Sequence, residues 1–234
     1  MTKSRQLALE VTVKKEAIFP ASMPAPRVAY SPLVKAGPFV YVSGQVPSDF
    51  ITGIPPTAKI NANFPHHGVN IERQTGYVMK NIRSLLEAGG SSLDNCLYLV
   101  FYQTDPTEIN GTARVVQDLF GSASPPPSAT ILLEELPVPN CNLEVDAIGY
   151  VPEEGESIEF LNPSSLPVPV PCGLDDRPLF NYGVKAGKYI FTASITATDF
   201  DNGIAPEAVL DPNFIYYAEP GRLQTEYVLE RLKI

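Results

Sequence analysis

The sequence predicts an α+β protein: one sheet backed by two helices, followed by a truncated second copy of the same unit. Three observations carry this reading. Short apolar runs of strand length alternate with two segments of helical period in the order β-β-α-β-α-β-β. The 24 prolines and 16 glycines among 234 residues cut the chain into short elements joined by turns. Residue pairs also recur 150 positions apart in one unbroken register.

Taken in order, residues 1–15 are polar without a clear period and read as a loosely docked lead-in. Pro20, Ser22, Pro24 and Pro26 punctuate an extended entry segment. Tyr30–Lys35 and Phe39–Val46 then read as a hairpin across Ala36-Gly37-Pro38. A polar excursion over 49–65 precedes a helix that starts near Asn70. Its apolar residues Ile71, Val78, Ile82, Leu85 and Leu86, with Thr75 between them, share one stripe that ends at Gly89-Gly90. Leu97–Tyr102 is apolar on both alternating faces, as expected of a central strand covered on both sides. Asp105-Pro106-Thr107 supplies a cap and an early proline for a second helix, with Ile109, Ala113, Val116 and Phe120 at helical spacing. Ser128–Leu136 and Leu143–Val151 complete the unit as two further strands.

After Val151 the composition turns acidic and then proline-rich, so 153–176 reads as a linker. Residues 177–234 repeat the opening of the first unit, a hairpin and the start of its first helix. Val34-Lys-Ala-Gly37 recurs as Val184-Lys-Ala-Gly187, Asp49-Phe50 as Asp199-Phe200, and Gly53-Ile54 as Gly203-Ile204. Asn63-Phe64 recurs as Asn213-Phe214 and Gln74-Thr75 as Gln224-Thr225. The entry segment repeats too, Pro20-Ala-Ser-Met-Pro24 matching Pro163-Ser-Ser-Leu-Pro167 at an offset of 143. Ile234 aligns with Ser84, inside the first helix, so the copy lacks counterparts of residues 97–151. The expectation is a fragment of a longer protein; the alternative is that another surface completes the half-unit.

Composition excludes several classes. A hydrophobic fraction of 44% supports a packed core, and no run of about 18 apolar residues is present to span a membrane. Net charge is −9 without a cluster of Lys or Arg, which argues against binding the phosphates of a nucleic acid. Met1-Thr-Lys-Ser-Arg-Gln-Leu has no apolar segment behind its basic residues, so no secretory signal is read there. Cys96, Cys141 and Cys172 are far apart and odd in number, which indicates neither a disulfide framework nor a zinc site; a cytoplasmic setting is the simplest reading. Cys141 reads as a free thiol. The adjacent His66-His67 point to opposite sides of an extended segment and do not share a metal.

Two places carry candidate chemistry. Glu144 and Asp146 are two apart on a strand, so both leave one face, where paired carboxylates raise each other's pKa. A solvated outer face is the plain alternative. Ser43 precedes Gly44, whose missing side chain lets the backbone approach a ligand; a bulge at the strand end is the plain alternative there. In the second copy Val42-Ser-Gly-Gln45 becomes Thr192-Ala-Ser-Ile195. Any active cleft is therefore expected on the first copy.

Val40-Tyr-Val-Ser-Gly-Gln-Val-Pro47, Gln74-Thr75, Asn81-Ile82, Leu86-Glu-Ala-Gly89, Ser92-Leu-Asp94 and Leu143-Glu-Val-Asp-Ala-Ile148 together resemble the Rid family, also called the YjgF or reactive intermediate deaminase family. The resemblance covers 16–151, within a domain expected over 16–152. It implies a chorismate-mutase-like fold, a homotrimer or a pseudo-trimer of mixed copies with clefts between units, and hydrolysis of small enamines or imines without metal or cofactor. On this resemblance the water-handling glutamate falls on Glu144 and the serine at the cleft mouth on Ser43. The carboxylate-clamping arginine falls on Ser128, a cysteine near it on Thr130, and a tyrosine covering the cleft on Leu33. A serine cannot replace the charge of a guanidinium, so amino-acid-derived imines fit poorly. The chain is thus expected to be either a hydrolase of a small imine, enamine or amide using Glu144, Ser43 and Gly44, or a non-catalytic ligand-binding or scaffold protein of the same fold.

Overall fold

A computed structural model describes residues 14–21, 23, 29–64, 66, 68–121, 123–166, 177–199, 203–211, 213 and 219–233. The first strand, β1 (Lys15–Ile18), pairs antiparallel with β2 (Leu33–Ala36), which pairs in turn with β3 (Phe39–Gln45). The β2–β3 turn is closed by Gly37 at φ 58°, a left-handed conformation that a two-residue hairpin loop requires. Helix α1 (Asn70–Ala88) comes next, then β4 (Cys96–Gln103), α2 (Ile109–Phe120), β5 (Ser128–Leu132) and β6 (Leu143–Tyr150). These strands form one sheet in the order β1-β2-β3-β6-β4-β5, parallel only between β4 and β5, where α2 provides the crossover.

Periodicity explains how the layers meet. Ile71, Thr75, Val78, Ile82, Leu85 and Leu86 of α1 are all buried, and they pack on Leu33, Val40, Val42, Leu99 and Val145 from one face of the sheet. Each fully buried aliphatic side chain there stabilises the fold by about 1.5–3 kcal/mol. The Asp105 carboxylate accepts a hydrogen bond from the Thr107 backbone N–H, capping a short 3-10 turn that leads into α2. The expected two-sided burial of the central strand holds on one face only. Leu99 and Phe101 of β4 are buried under the helices, while Tyr98, Val100 and Tyr102 on the other face are half-buried.

A second sheet contains β7 (Glu159–Leu161), β8 (Gly183–Ala186) and β9 (Tyr189–Thr192), followed by helix α3 (Pro220–Leu232). Its elements reproduce the opening of the first unit. β8, β9 and α3 begin 150 residues after β2, β3 and α1, and Gly187 (φ 56°) closes the turn as Gly37 does. The Asp49 N–H donates to Gly53 O at 3.1 Å, and the Asp199 N–H donates to Gly203 O at 3.3 Å.

Two sequence expectations change. Residues 15–18, at the junction of the lead-in and the domain where no strand is expected, and 159–161, read as part of the linker, are strands at the corresponding edges of the two sheets. Each has too few apolar positions to announce itself; pairing with β2 or β8 makes it a strand. The proline-rich run 167–176 lies outside the described residues.

The two sheets pack against each other over part of their helix-free faces. Val184 and Ala186 are fully buried in a cluster with Phe39, Leu97 and Tyr150, and the Phe39 ring lies 5.0 Å from the Tyr189 ring, edge to face. Polar contacts fix the approach. The Asn181 side-chain amide donates to Ser124 O at 2.9 Å and to Pro125 O at 2.8 Å, and its carbonyl accepts from Asn162 Nδ2. At the β5 edge the Ser194 N–H donates to Ser128 O at 3.0 Å. Helix α3 buries no residue fully, and Leu229 and Leu232 remain exposed.

Replacing Asn181 by Ala strands Ser124 O and removes the acceptor of Asn162 Nδ2, while Pro125 O keeps the Asn181 backbone N–H. A loss of about 2–3 kcal/mol in urea denaturation is expected. A change below about 0.5 kcal/mol means that the sheets are held together by other contacts.

Candidate functional site

Strand alternation in β6 builds the site. Leu143, Val145 and Ala147 point into the helix-packed core, so Glu144, Asp146 and Ile148 point to the other face. Because β6 lies between β3 and β4, the two carboxylates stand in the middle of the sheet. Glu144 is opposite Tyr102 and Asp146 is opposite Val100. The Tyr102 hydroxyl donates to Asp146 Oδ2 at 3.1 Å.

On the other flank, the β3–β6 ladder passes from Val42–Ala147 to Gln45–Val145, so that two residues of β3, Ser43 and Gly44, stand against one of β6, Asp146. This is a bulge, and it contains Ser43 and Gly44. The Ser43 hydroxyl donates to Ser31 O and Pro32 O, both at 3.1 Å, and the Ser43 N–H also donates to Pro32 O. Its proton is thereby committed to holding the bulge in place. Gly44 makes room for the carboxylate: a Cβ there would lie 1.7 Å from Glu144 Oε1. A cleft of about 480 Å³ opens beside this group, bounded by Tyr41, Ser43, Gly44, Tyr98 and Asp146.

The electrostatics favour a carboxyl that exchanges protons. Burial first, and then the charge of Asp146, hold the Glu144 carboxyl above its ordinary pKa. Asp146 is also raised by burial, against the opposing effect of the Tyr102 hydrogen bond. The Tyr30 phenol is raised by burial and then by Glu144. Among the described residues neither carboxylate forms an ion pair. The two described thiols, Cys96 and Cys141, are inert by comparison. Burial pushes Cys96 up to about 12 and Cys141 up to about 11, and the Cys141 Sγ donates to Leu143 O.

The other candidate residues do not join this group. Leu33 has no exposed surface and sits under α1 in the core, so in this chain it covers no cleft. Ser128 and Thr130 pair in register with Leu99 and Phe101, which places them on the helix side of the sheet, opposite to Glu144. There they border a separate cleft of about 200 Å³ formed with the second unit. Sequence reasoning missed Tyr102. The tyrosine looked like one more apolar residue of a doubly covered strand, and its place directly across from Glu144 depends on β4–β6 register.

The sequence profile of the Endoribonuclease L-PSP family matches residues 20–151, more than half of the chain, and the chain belongs to this family, the one also called YjgF or Rid. A RutC family protein of Pyrococcus horikoshii is 32% identical over 137 residues, 58% of this chain and 98% of that protein. A RutC family protein of Saccharolobus solfataricus is 37% identical over 123 residues, 53% of this chain and 88% of the other. A crystallised Rid-family protein of unknown function from Yersinia pestis superposes with a TM-score of 0.50 at 22% identity, over 59% of this chain and all of the other, which shows the shared fold. The family match thus covers β2 to β6 with α1 and α2; β1 precedes it, and α3 and the second sheet lie beyond it.

Replacing Gly44 by Ala forces the end of the flexible Glu144 side chain aside. The expected result is little change in stability with a displaced carboxylate, read in a crystal structure of the variant; an unmoved carboxylate refutes the close approach.

The raised carboxyls also predict a pH effect. The unfolded chain ionises these groups first, so their contribution to stability is present below the ordinary range near pH 4 and is lost as pH rises through the raised folded values. Asp146→Asn removes the Asp146 share of that loss while keeping an acceptor for Tyr102. Its urea midpoint relative to wild type is expected to climb between about pH 4 and pH 7, and a pH-independent difference contradicts the burial argument.

Proposed function

We propose that the protein is a Rid-like hydrolase, independent of cofactors, that acts on the C–N bond of a small enamine, imine or amide. Glu144 activates the attacking water. The observation that carries this is the Glu144 carboxylate seated over Gly44, half-buried and without an ion pair among the described residues, with burial and Asp146 raising its pKa toward the working range of a general base. Gly44 gives the carboxylate its space, and Ser43 holds the bulge. Ser128 offers no positive charge, so the substrate is one whose binding does not depend on a clamped carboxylate.

The non-catalytic reading also has a specific observation behind it. Glu144 and Ser128 lie on opposite faces of the sheet, so one chain does not gather both halves of the family's cleft. We propose that the chain comprises a Rid-like domain over 16–152 and a partial second repeat, and that clefts form between units in a homotrimer or a pseudo-trimer of mixed copies. With β7 assigned to the repeat, its start moves from 177 to 159. No helix among the described residues is long and apolar enough to cross a membrane. A cytoplasmic location is part of this proposal and fits the buried thiols of Cys96 and Cys141.

A panel of imines, enamines and amides assayed for released ammonia decides between the readings. Glu144→Gln is expected to lower turnover by roughly 100-fold or more with the melting temperature unchanged. Full turnover in that variant removes Glu144 from the mechanism, and ligand-dependent melting shifts without ammonia establish the binder.

A further inference from the structure

The outer edge of β9 lacks the neighbour that its counterpart has. In the first sheet β3 lies between β2 and β6, with Val40 opposite Gly149 and Val42 opposite Ala147. Among the described residues β9 pairs with β8 alone. Backbone groups alternate in direction along a strand, and the Ala193 N–H donates to Tyr182 O on the β8 side, so those of Thr192 and Ile190 face the open edge. Tyr189-Ile-Phe-Thr192 has neither a charge nor a proline to keep another strand away.

The side chains around that edge are uncovered in the same pattern. At the offset of 150, Ile190, Leu229 and Leu232 correspond to Val40, Met79 and Ile82. The first three are 61%, 52% and 46% exposed, whereas their counterparts are at 1% or less. A cleft of about 520 Å³ opens between α3 and the second sheet, with Phe160, Leu161, Ile190, Ile195 and Leu232 among its walls. Two cations flank it. Lys35 donates to Gly89 O at 3.1 Å, but its counterpart Lys185 is exposed and has no acid partner among the described residues. The Arg231 guanidinium lies 4.6 Å from the Tyr227 ring and likewise forms no ion pair among the described residues.

We infer that β9 is a docking edge for an extended segment of a partner polypeptide, which adds antiparallel to it as β6 adds to β3. The first unit shows the chemistry such a segment needs. Residues like Val145 and Ala147, apolar and of modest size at alternate positions, face the helix and fill the cleft. Its charged residues are acidic, because Lys185 and Arg231 are cations without partners and a basic segment would meet them with like charge. The edge belongs to the second unit and does not include Glu144, so the inference is independent of the hydrolase reading.

A synthetic peptide with the sequence of residues 142–151, which contains β6, is the probe, and amide hydrogen exchange of the full chain is the readout. The peptide is expected to slow exchange at Ile190 and Thr192 by about tenfold or more. A peptide with Val145→Asp and Ala147→Asp is expected to give no protection, and one with Glu144→Lys and Asp146→Lys to bind more weakly. Thr192→Pro in the protein, which removes an N–H from the open edge and none from the β8 side, is expected to abolish the effect. Should that variant fail to fold, a peptide N-methylated at Ala147 tests the same backbone bond on the wild-type chain and is expected not to bind. Unchanged exchange at Ile190 and Thr192, or equal protection by the N-methylated peptide, overturns the inference. Protection of these amides in the chain alone, together with a dimeric mass, also overturns it and makes a second copy the occupant.

Discussion

The arrangement depends on the alternation of β6 in the middle of the first sheet. Leu143, Val145 and Ala147 lock one face onto α1, and this leaves Glu144 and Asp146 no choice of side. A one-residue slip would bury both carboxylates under the helix and expose three apolar residues. The same burial that stabilises the sheet therefore fixes the carboxylates opposite Tyr102 and Val100, and the bulge at Ser43-Gly44 completes the placement by clearing space for Glu144 Oε1.

The second unit changes what the first can offer. By packing Val184 and Ala186 on Phe39 and Tyr150 it covers one end of the helix-free face, and by bringing Ser194 to Ser128 it occupies the β5 edge. The face bearing Glu144 remains open beside Tyr41 and Tyr98. One chain thus has a cleft bordered by Asp146 on the open face and an uncharged cleft between the units. In a family whose clefts are expected between units, the repeat gives the β5 edge a partner from its own chain.

Much of this was legible in the residues. The apolar stripe of α1 runs from Ile71 to Leu86, its Gly89-Gly90 stop is unambiguous, and the strict alternation of Leu143–Ile148 announces a strand with one acidic face. The register of 150 in the sequence equals the offset at which β8, β9 and α3 begin after β2, β3 and α1. The features that escaped were set by tertiary pairing. β1 and β7 are short and bury no residue fully, and they become strands only against β2 and β8. The side of the sheet on which Ser128 falls is decided by its parallel register with Leu99, which local sequence does not encode. Gln103 reads as an ordinary polar strand end until Thr112 of α2 folds over it.

The most direct measurement is a titration of the Glu144 side-chain carboxyl by carbon-detected NMR, in the wild-type chain and in Asp146→Asn. The expected inflection lies above the ordinary carboxylate range and moves down when the neighbouring charge is removed. An ordinary inflection in both proteins means that Glu144 is a solvated surface acid, and the open face would lose its claim to be the reacting site.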